Sequence, residues 1–168
     1  GTGGSALHHY AVWLRLHERD FTVASDSGVG LDWPISYEDL RPHYDRIQRE
    51  VGISGDATAD IWRPKGEPYP MPPLPVFSQG QVLQKGFSKL GLRTSPLPLA
   101  INSQPYNGRA SCLYDGWCDA GCPNGALANP LVTWLPRAKA AGAEFIHDAY
   151  VTRVLRSAKN SAKISGVE

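Results

Sequence analysis

Asp32-Trp-Pro-Ile-Ser-Tyr-Glu-Asp-Leu-Arg-Pro-His-Tyr44 carries the clearest local instruction in the chain. Ser36 is a favoured N-cap residue, and Asp39 lies three positions on, where its carboxylate can reach back to the Ser36 amide. Pro42 suits a first helical turn, because its ring fixes φ near the helical value and its missing N–H has no partner to lose there. The spacing predicts a helix start near Arg41 and a helix over 42–51. Tyr44, Ile47 and Val51 then fall three and four apart on one buried face, with Gly52 placed to end it.

Upstream, the Asp, Ser and Gly residues between Asp26 and Pro34 mark turns. Residues 3–16 open on a Gly-Gly-Ser turn and continue as a mixed apolar and aromatic run without clean period, which reads as a buried loop or short helix. Downstream, six prolines between Pro64 and Pro75 exclude a regular helix over 52–77 and leave an extended, partly polyproline connection. A second helix is expected over 79–90, capped by Ser78, buried through Val82, Leu83, Phe87 and Leu90, and closed by Gly91. An extended stretch covers 92–108. After Asn129 a third helix should kink or restart at Pro136 and stop at Gly142. Short strands are expected over Glu144–His147 and Tyr150–Leu155, and a further one from Ile164.

A chain of 168 residues that is 42 % hydrophobic can bury a core of its own. Its formal charge of +1 and scattered basic residues give no attraction for nucleic acid or an anionic membrane surface. No stretch approaches the roughly 18 to 20 apolar residues of a membrane span. The first residues lack both parts of a signal peptide. The start without Met and the strand-like end at Ile164-Ser-Gly-Val-Glu168 suggest a piece of a longer protein.

Three residue groups have chemical potential. The Gly3-Gly4-Ser5 turn lets backbone amides approach a phosphate or ring, since neither glycine carries a Cβ. His8 and His9 are adjacent and in an extended stretch point to opposite sides; His17, His43 and His147 read as surface histidines. Cys112, Cys118 and Cys122 are the only cysteines in the chain and sit within eleven residues. With Gly116 and Gly121 as turn residues, they can either wrap an iron–sulfur cluster or close one disulfide with a thiol left over. Structural zinc is the weaker reading, because Asp115 and Asp119, the nearest candidates for a fourth ligand, are oxygen donors uncommon in closed sites.

Gly3-Gly-Ser-Ala-Leu-His-His-Tyr10, Leu16-His-Glu-Arg-Asp-Phe21 and Asp32-Trp-Pro-Ile-Ser-Tyr37, followed in order by Cys118-Asp-Ala-Gly-Cys-Pro-Asn-Gly-Ala126, Leu131-Val-Thr-Trp-Leu-Pro-Arg-Ala138 and Tyr150-Val-Thr-Arg-Val-Leu155, resemble the glucose–methanol–choline (GMC) oxidoreductases. The branch is that of the gluconate, glucose, fructose and sorbitol dehydrogenase large subunits. The resemblance implies an α/β fold, present as an α+β fragment: an incomplete FAD/NAD(P)-binding-type domain with part of a substrate domain. It places a flavin-side loop at 1–25, a substrate-side segment with two helices and a Pro-rich linker at 26–110, a Cys-rich loop at 111–128, and a return to the FAD-binding domain at 129–168.

The activity implied is hydride transfer from the CH–OH group of an alcohol or sugar to FAD. Gly3, Gly4, Ser5, His8, His9, Tyr10, Val12 and Trp13 would lie along the cofactor, Asn124 and Gly125 in the loop after the cysteines, and Val151 on a strand beside the adenine. Cys112, Cys118 and Cys122 match a three-cysteine [3Fe–4S] site that passes electrons toward an acceptor such as a cytochrome subunit, and similar proteins work at the periplasmic side of a bacterial membrane. The family's Gly-x-Gly-x-x-Gly fingerprint and its C-terminal catalytic His have no counterpart here, so no catalytic residue is assigned and the isolated chain is expected to be inactive. The alternative is a stand-alone iron–sulfur or metal-binding electron-transfer module.

Overall fold

Ser36 does cap a helix, but the helix starts at once. In the computed structural model, which describes residues 2–168, the Ser36 hydroxyl accepts from the Asp39 amide (3.3 Å) while Asp39 accepts from the Ser36 amide (2.8 Å), closing a reciprocal capping box. After the short α1 (Val23–Ser27), helix α2 therefore runs Tyr37–Val51, with Pro42 inside it rather than at its first turn. Pro42 has no N–H to give the Glu38 carbonyl, a loss that the strong cap and the buried face offset.

That face is not the apolar one expected. Ile47 is exposed and Tyr44 half-buried, whereas Tyr37, Asp45, Gln48 and Val51 are buried. The reason lies in what α2 packs against: the proline-interrupted stretch around Lys65–Pro68 presents backbone groups that only polar side chains can satisfy. Asp45 accepts from the Glu67 amide (2.9 Å), and Gln48 donates to the carbonyls of Glu67 (3.0 Å) and Pro68 (3.1 Å). Arg15 enters the same network from the N-terminal segment and donates to both Asp45 and Gln48 at 2.6 Å. Gly66 makes the fit, since a Cβ there would collide with the Arg15 guanidinium and Asp45.

The first of two compact units ends at Arg137, and its centre is the segment 98–102. Leu99 exchanges both backbone hydrogen bonds with Ser54 (2.9 Å each), while Pro98 and Ala100 bond Trp13 (3.0 Å) and Ala11 (2.7 Å) on the other side. Further along, Ala128 and Asn102 bond Ala100 (2.8 Å) and Ala126 (3.0 Å). These are isolated bridges and not regular strands. Small side chains at Ala11, Ala100, Ala126 and Ala128 let the segments close around Ile53, Ile101 and Leu127.

Helix α3 spans Ser78–Lys89, one residue earlier than the 79–90 expected, so that Ser78 is its first residue and not its cap; Phe77 takes the N-cap position without a side-chain bond. The helix ends in a Schellman turn: Leu92 N–H bonds the Phe87 carbonyl (3.0 Å), Gly91 N–H that of Ser88 (3.1 Å), and Gly91 takes φ +72°. Its apolar residues are not buried, however: Val82 is 67 % and Leu90 74 % exposed, and Leu83 and Phe87 are also exposed. Leu83 and Phe87 border a groove with Leu74, Phe77 and Leu97 that no described segment fills. Helix α4 (Trp134–Ala140) begins only after an Asn129-centred turn, so Pro136 sits in its first turn and neither kinks nor restarts a helix as expected.

In the second unit, from Ala138 on, β1 (Val154–Arg156) pairs antiparallel with β2 (Ile164–Val167), with a register irregularity at Leu155/Arg156. The strand expected over Glu144–His147 does not form, and the one over Tyr150–Leu155 is reduced to its end, because each has at most one neighbour to bond. The described residues thus hold helices and a single two-stranded antiparallel sheet, compatible with the fragment expected.

Asp45→Ala leaves the Arg15 charge buried without its counter-ion and is expected to destabilise the protein by about 3–5 kcal/mol in denaturant titration. The Asp39 carboxyl is held below the usual carboxylate range by hydrogen bonds from the Ser36 amide and then the Ser36 hydroxyl. A depressed folded-state pKa contributes stability above the unfolded value and loses it as pH falls through the folded one. The difference in thermal midpoint between wild type and Asp39→Asn should therefore be constant above about pH 4 and shrink below it.

Candidate functional site

The N-terminal segment becomes ordered by alternation. After a 3₁₀ turn over Gly4–Leu7, opened by Gly3 and Gly4 in left-handed conformations (φ +99° and +55°), His9, Ala11, Trp13 and Arg15 face inward while Tyr10, Val12, Leu14 and Leu16 face outward. The outward stripe is left open: Tyr10 is 68 %, Val12 52 % and Leu14 65 % exposed. Ser5 and His8 are exposed as well, and nothing lies within 4 Å of the position a Cβ would take on Gly4.

His9 has its two ring nitrogens committed to the backbone. The Ala11 N–H donates to Nδ1 and Nε2 donates to the Ala128 carbonyl, both at 3.0 Å. A carbonyl can only accept and an amide N–H can only donate, so the tautomer is fixed with the proton on Nε2. The ring secures Ala11, a non-glycine residue at φ +61°. Trp13 packs on the core, and its Nε1 has no hydrogen-bond partner among the described residues.

The cysteine loop joins this segment at Tyr10, whose hydroxyl donates to Asp119 (3.3 Å) in the 3₁₀ turn Cys118–Ala120. Tyr10, Cys112 and Cys118 line one cavity of about 520 Å³ together with Phe77, Ile101 and Tyr114. All three cysteines are free, half-buried and packed against the core. Burial pushes the Cys118 thiol up, and the neighbouring Cys112, Cys122 and Asp115 push it further in the same direction.

Backbone and amide groups fix the outer two cysteines. The Cys112 N–H donates to the Asn102 carbonyl (2.8 Å), and the fully buried Asn102 side chain donates to the carbonyls of Tyr106 (3.0 Å) and Arg109 (3.1 Å). Cys122 Sγ accepts from the Leu127 amide (3.4 Å) and donates its S–H to Asn124 Oδ1 (3.2 Å). Asn124 Oδ1 also accepts from the Ala126 amide (3.1 Å), and its Nδ2 donates to the Ser111 carbonyl (2.8 Å), next to Cys112. One side chain thus ties Cys122 to the neighbour of Cys112. The Asn124 amide is occupied inside the loop, and Gly125, at φ +74°, offers its carbonyl to Arg109. Val151 belongs to the second unit and is exposed ahead of β1.

Among the described residues, no group of three His, Cys, Asp or Glu side chains is placed to hold a metal ion. The expected ligand set of Cys112, Cys118 and Cys122 is therefore not assembled for a single ion. Cys112 and Cys118 line one cavity, Cys122 is not part of its lining, and the Leu127 amide N–H is directed at the Cys122 sulfur.

Sequence reasoning missed Asn102 and Arg109. Arg109 has a visible signal: Asn107-Gly108 is the strongest short-range hairpin dipeptide, both residues take positive φ (+48° and +74°), and Arg109 lands opposite Tyr106.

The GMC oxidoreductase family model matches residues 1–168, and the chain belongs to that family. It is 35 % identical over 162 residues to the fructose dehydrogenase large subunit of Gluconobacter japonicus, covering 95 % of this chain and 30 % of that protein. To the 2-methyl-1,2-propanediol dehydrogenase of Mycolicibacterium austroafricanum it is 32 % identical over 154 residues, covering 90 % and 28 %. To the 6'''-hydroxyparomomycin C oxidase of Streptomyces lividus it is 31 % identical over 144 residues, covering 79 % and 25 %. The chain therefore spans less than a third of the length of these relatives.

Asn124→Ala should free the Cys122 thiol and loosen Ser111. Alkylation of Cys122, followed by peptide mass spectrometry, is expected to speed up by about tenfold, the equivalent of one hydrogen bond of about 1.4 kcal/mol. An unchanged rate would show that the Leu127 amide alone holds the sulfur.

Proposed function

We propose that this chain is part of an FAD-dependent oxidoreductase acting on the CH–OH group of an alcohol or sugar, with the cysteine loop as the electron exit. The observation that carries the reading is the family match along the whole chain, with dehydrogenases among the relatives. That full-length match also weighs against a stand-alone electron-transfer module. The FAD-binding α/β domain, the segment boundaries and the cofactor contacts are proposed on the same ground.

When bound, FAD supplies a two-electron acceptor for the hydride of the alcohol carbon. Two features of this chain support such a group: Gly4 faces open space and admits close backbone approach, whereas Gly3 is covered by Leu7, and the exposed Tyr10, Val12 and Leu14 offer an apolar surface to a ring. Their part is to bind and orient the ring and to exclude water from one side. His9 acts here through Ala11, whose left-handed backbone it secures. No proton transfer is assigned to the five histidines of this chain.

Electrons leave a two-electron acceptor toward a one-electron partner through a relay, and a [3Fe–4S] cluster on Cys112, Cys118 and Cys122 is the relay proposed. Tyr10 supports the route, since it belongs to the flavin-side stripe and also lines the cavity of Cys112 and Cys118. A relative named as a large subunit supports a further subunit, such as a cytochrome, as the acceptor. One observation favours a second reading: another relative is named an oxidase, and an oxidase delivers electrons to oxygen without needing a cluster.

An anaerobic visible spectrum of the intact protein, with iron and acid-labile sulfide assays, separates the readings. Flavin bands together with broad iron–sulfur absorption, the latter lost in Cys118→Ser, are the expected result. Flavin bands without iron would favour the oxidase-like reading, and the absence of flavin would overturn both.

A further inference from the structure

The last carbonyls of α2 are covered by donors from the Tyr106–Arg109 hairpin. The Tyr106 hydroxyl and Asn107 Nδ2 donate to the Arg49 carbonyl (3.1 Å each), Asn107 Nδ2 also donates to that of Glu50 (3.0 Å), and the Arg109 guanidinium donates to that of Val51. These carbonyls are the negative end of the helix, and the acceptors that would otherwise face the neighbouring cleft are thereby taken. Positive charge is left over beside them.

The cleft has a volume of about 560 Å³, and every residue lining it belongs to the first unit. The guanidiniums of Arg49, Arg109 and Arg137 line it together with a single carboxylate, Glu50. Glu50 is shared between Arg46 (2.7 Å) and Arg137 (3.1 Å), Arg49 pairs with Glu67, and among the described residues no carboxylate pairs with Arg109. Arg46, Arg49, Arg109 and Arg137 thus meet only Glu50 and Glu67, an excess of two positive charges. The end of α2 offsets roughly half a charge of this. An arginine cannot shed its proton to relieve the repulsion, so an anion is what the cleft lacks.

We propose that this cleft binds the phosphate group of a small phosphorylated molecule, gripped by Arg49 and Arg137 beside the fixed charge of Arg109. Arg109 is held by the carbonyls of Val51, Gly125 (3.2 Å) and Ala126 (3.1 Å). The side chains of Arg49 and Arg137 are 49 % and 59 % exposed, and surface ion pairs of this kind contribute little, so both can turn to a ligand at small cost. A planar guanidinium offers paired N–H donors that match two oxygens of an oxoanion. A phosphate monoester brings close to two negative charges at neutral pH, which matches the excess, whereas a carboxylate brings one. The volume is in the range of small-molecule sites and leaves room for an attached organic group, to which Val132 and Pro136 add apolar lining. None of the lining residues belongs to the stripe of Tyr10, Val12 and Leu14 or to the cysteine cavity.

The test is isothermal titration calorimetry of glycerol 3-phosphate into the intact protein at fixed ionic strength, with acetate as the single-charge control and flavin absorbance followed in parallel. Saturable binding to the wild type is expected, weakened about tenfold or more in Arg137→Gln by the loss of a charge-assisted hydrogen bond. Glu50→Gln removes the one carboxylate of the lining and releases Arg137, and should tighten binding by about tenfold. Damage to the fold would not produce that gain, so the Glu50 variant decides even where the Arg137 variant does not fold. No saturable binding, equal affinity for acetate, or one affinity shared by wild type and both variants would overturn the proposal. Release of flavin during the titration would overturn it too, since the cleft would then hold the phosphates of the dinucleotide.

Discussion

The ion pair of Arg15 and Asp45 decides which way the N-terminal segment faces. Both side chains are almost completely buried and 2.6 Å apart, and a buried charge must meet its partner or be left at a cost of several kcal/mol. Burial alone would weaken the Arg15 charge, but the hydrogen bonds to Tyr37 and Asp45 outweigh it and hold its pKa above the ordinary value. In an extended chain successive side chains alternate, so a slip of one residue exchanges the two faces completely. With Arg15 fixed inside, Trp13, Ala11 and His9 must also point inward, and Tyr10, Val12 and Leu14 outward.

The cysteine loop obeys a different constraint. It is long and glycine-rich, and its two ends are fixed to one bridge, Ile101 with Leu127, beside the central segment. Asn102 and Asn124 then bond backbone groups in place of a sheet ladder: one carries the Tyr106–Arg109 hairpin on its side chain and Cys112 on its carbonyl, the other links Ser111 to Cys122. Polar groups buried in an irregular loop need such partners, because no regular structure supplies them. Cys118 sits on a short 3₁₀ turn that packs against the core and is hydrogen-bonded to the N-terminal segment through Asp119 and Tyr10.

Local chemistry was legible in the sequence, and burial was not. The Ser36 cap and the Gly91 helix stop depend on backbone geometry within a few residues, and both were readable. The face of α2 depended on what lies opposite, and there a carbonyl-rich extended segment selected Asp45 and Gln48 over Ile47. The alternation over residues 9–15 was hidden because its outward positions are as apolar as its inward ones, and its inward set includes the polar His9 and Arg15. The exposed side of α3 has the same origin, since periodicity reports that a face is apolar without saying which segment covers it. Within the candidate site, the cysteines announced themselves by spacing, whereas the backbone role of His9 needed Ala128, 119 residues away, to become visible.

These constraints meet at Tyr10. Four residues lie between it and Arg15, a span of at most about 17 Å at the rise of an extended chain, with Ala11 in a left-handed conformation along the way. Between the two, Ala11 and Trp13 are bonded to Ala100 and Pro98 (2.7 and 3.0 Å), so the segment is held along its length by the core and cannot pivot about one end. The Arg15 pair therefore sets the side on which the Tyr10 ring emerges, and the Asp119 contact sets where that ring meets the cysteine turn. A disturbance of the buried pair should reach the cavity as a change in register rather than as a graded displacement, because alternation allows only two faces. On this reasoning a structural ion pair governs whether the outward stripe of Tyr10, Val12 and Leu14 and the cysteine cavity share a residue at all.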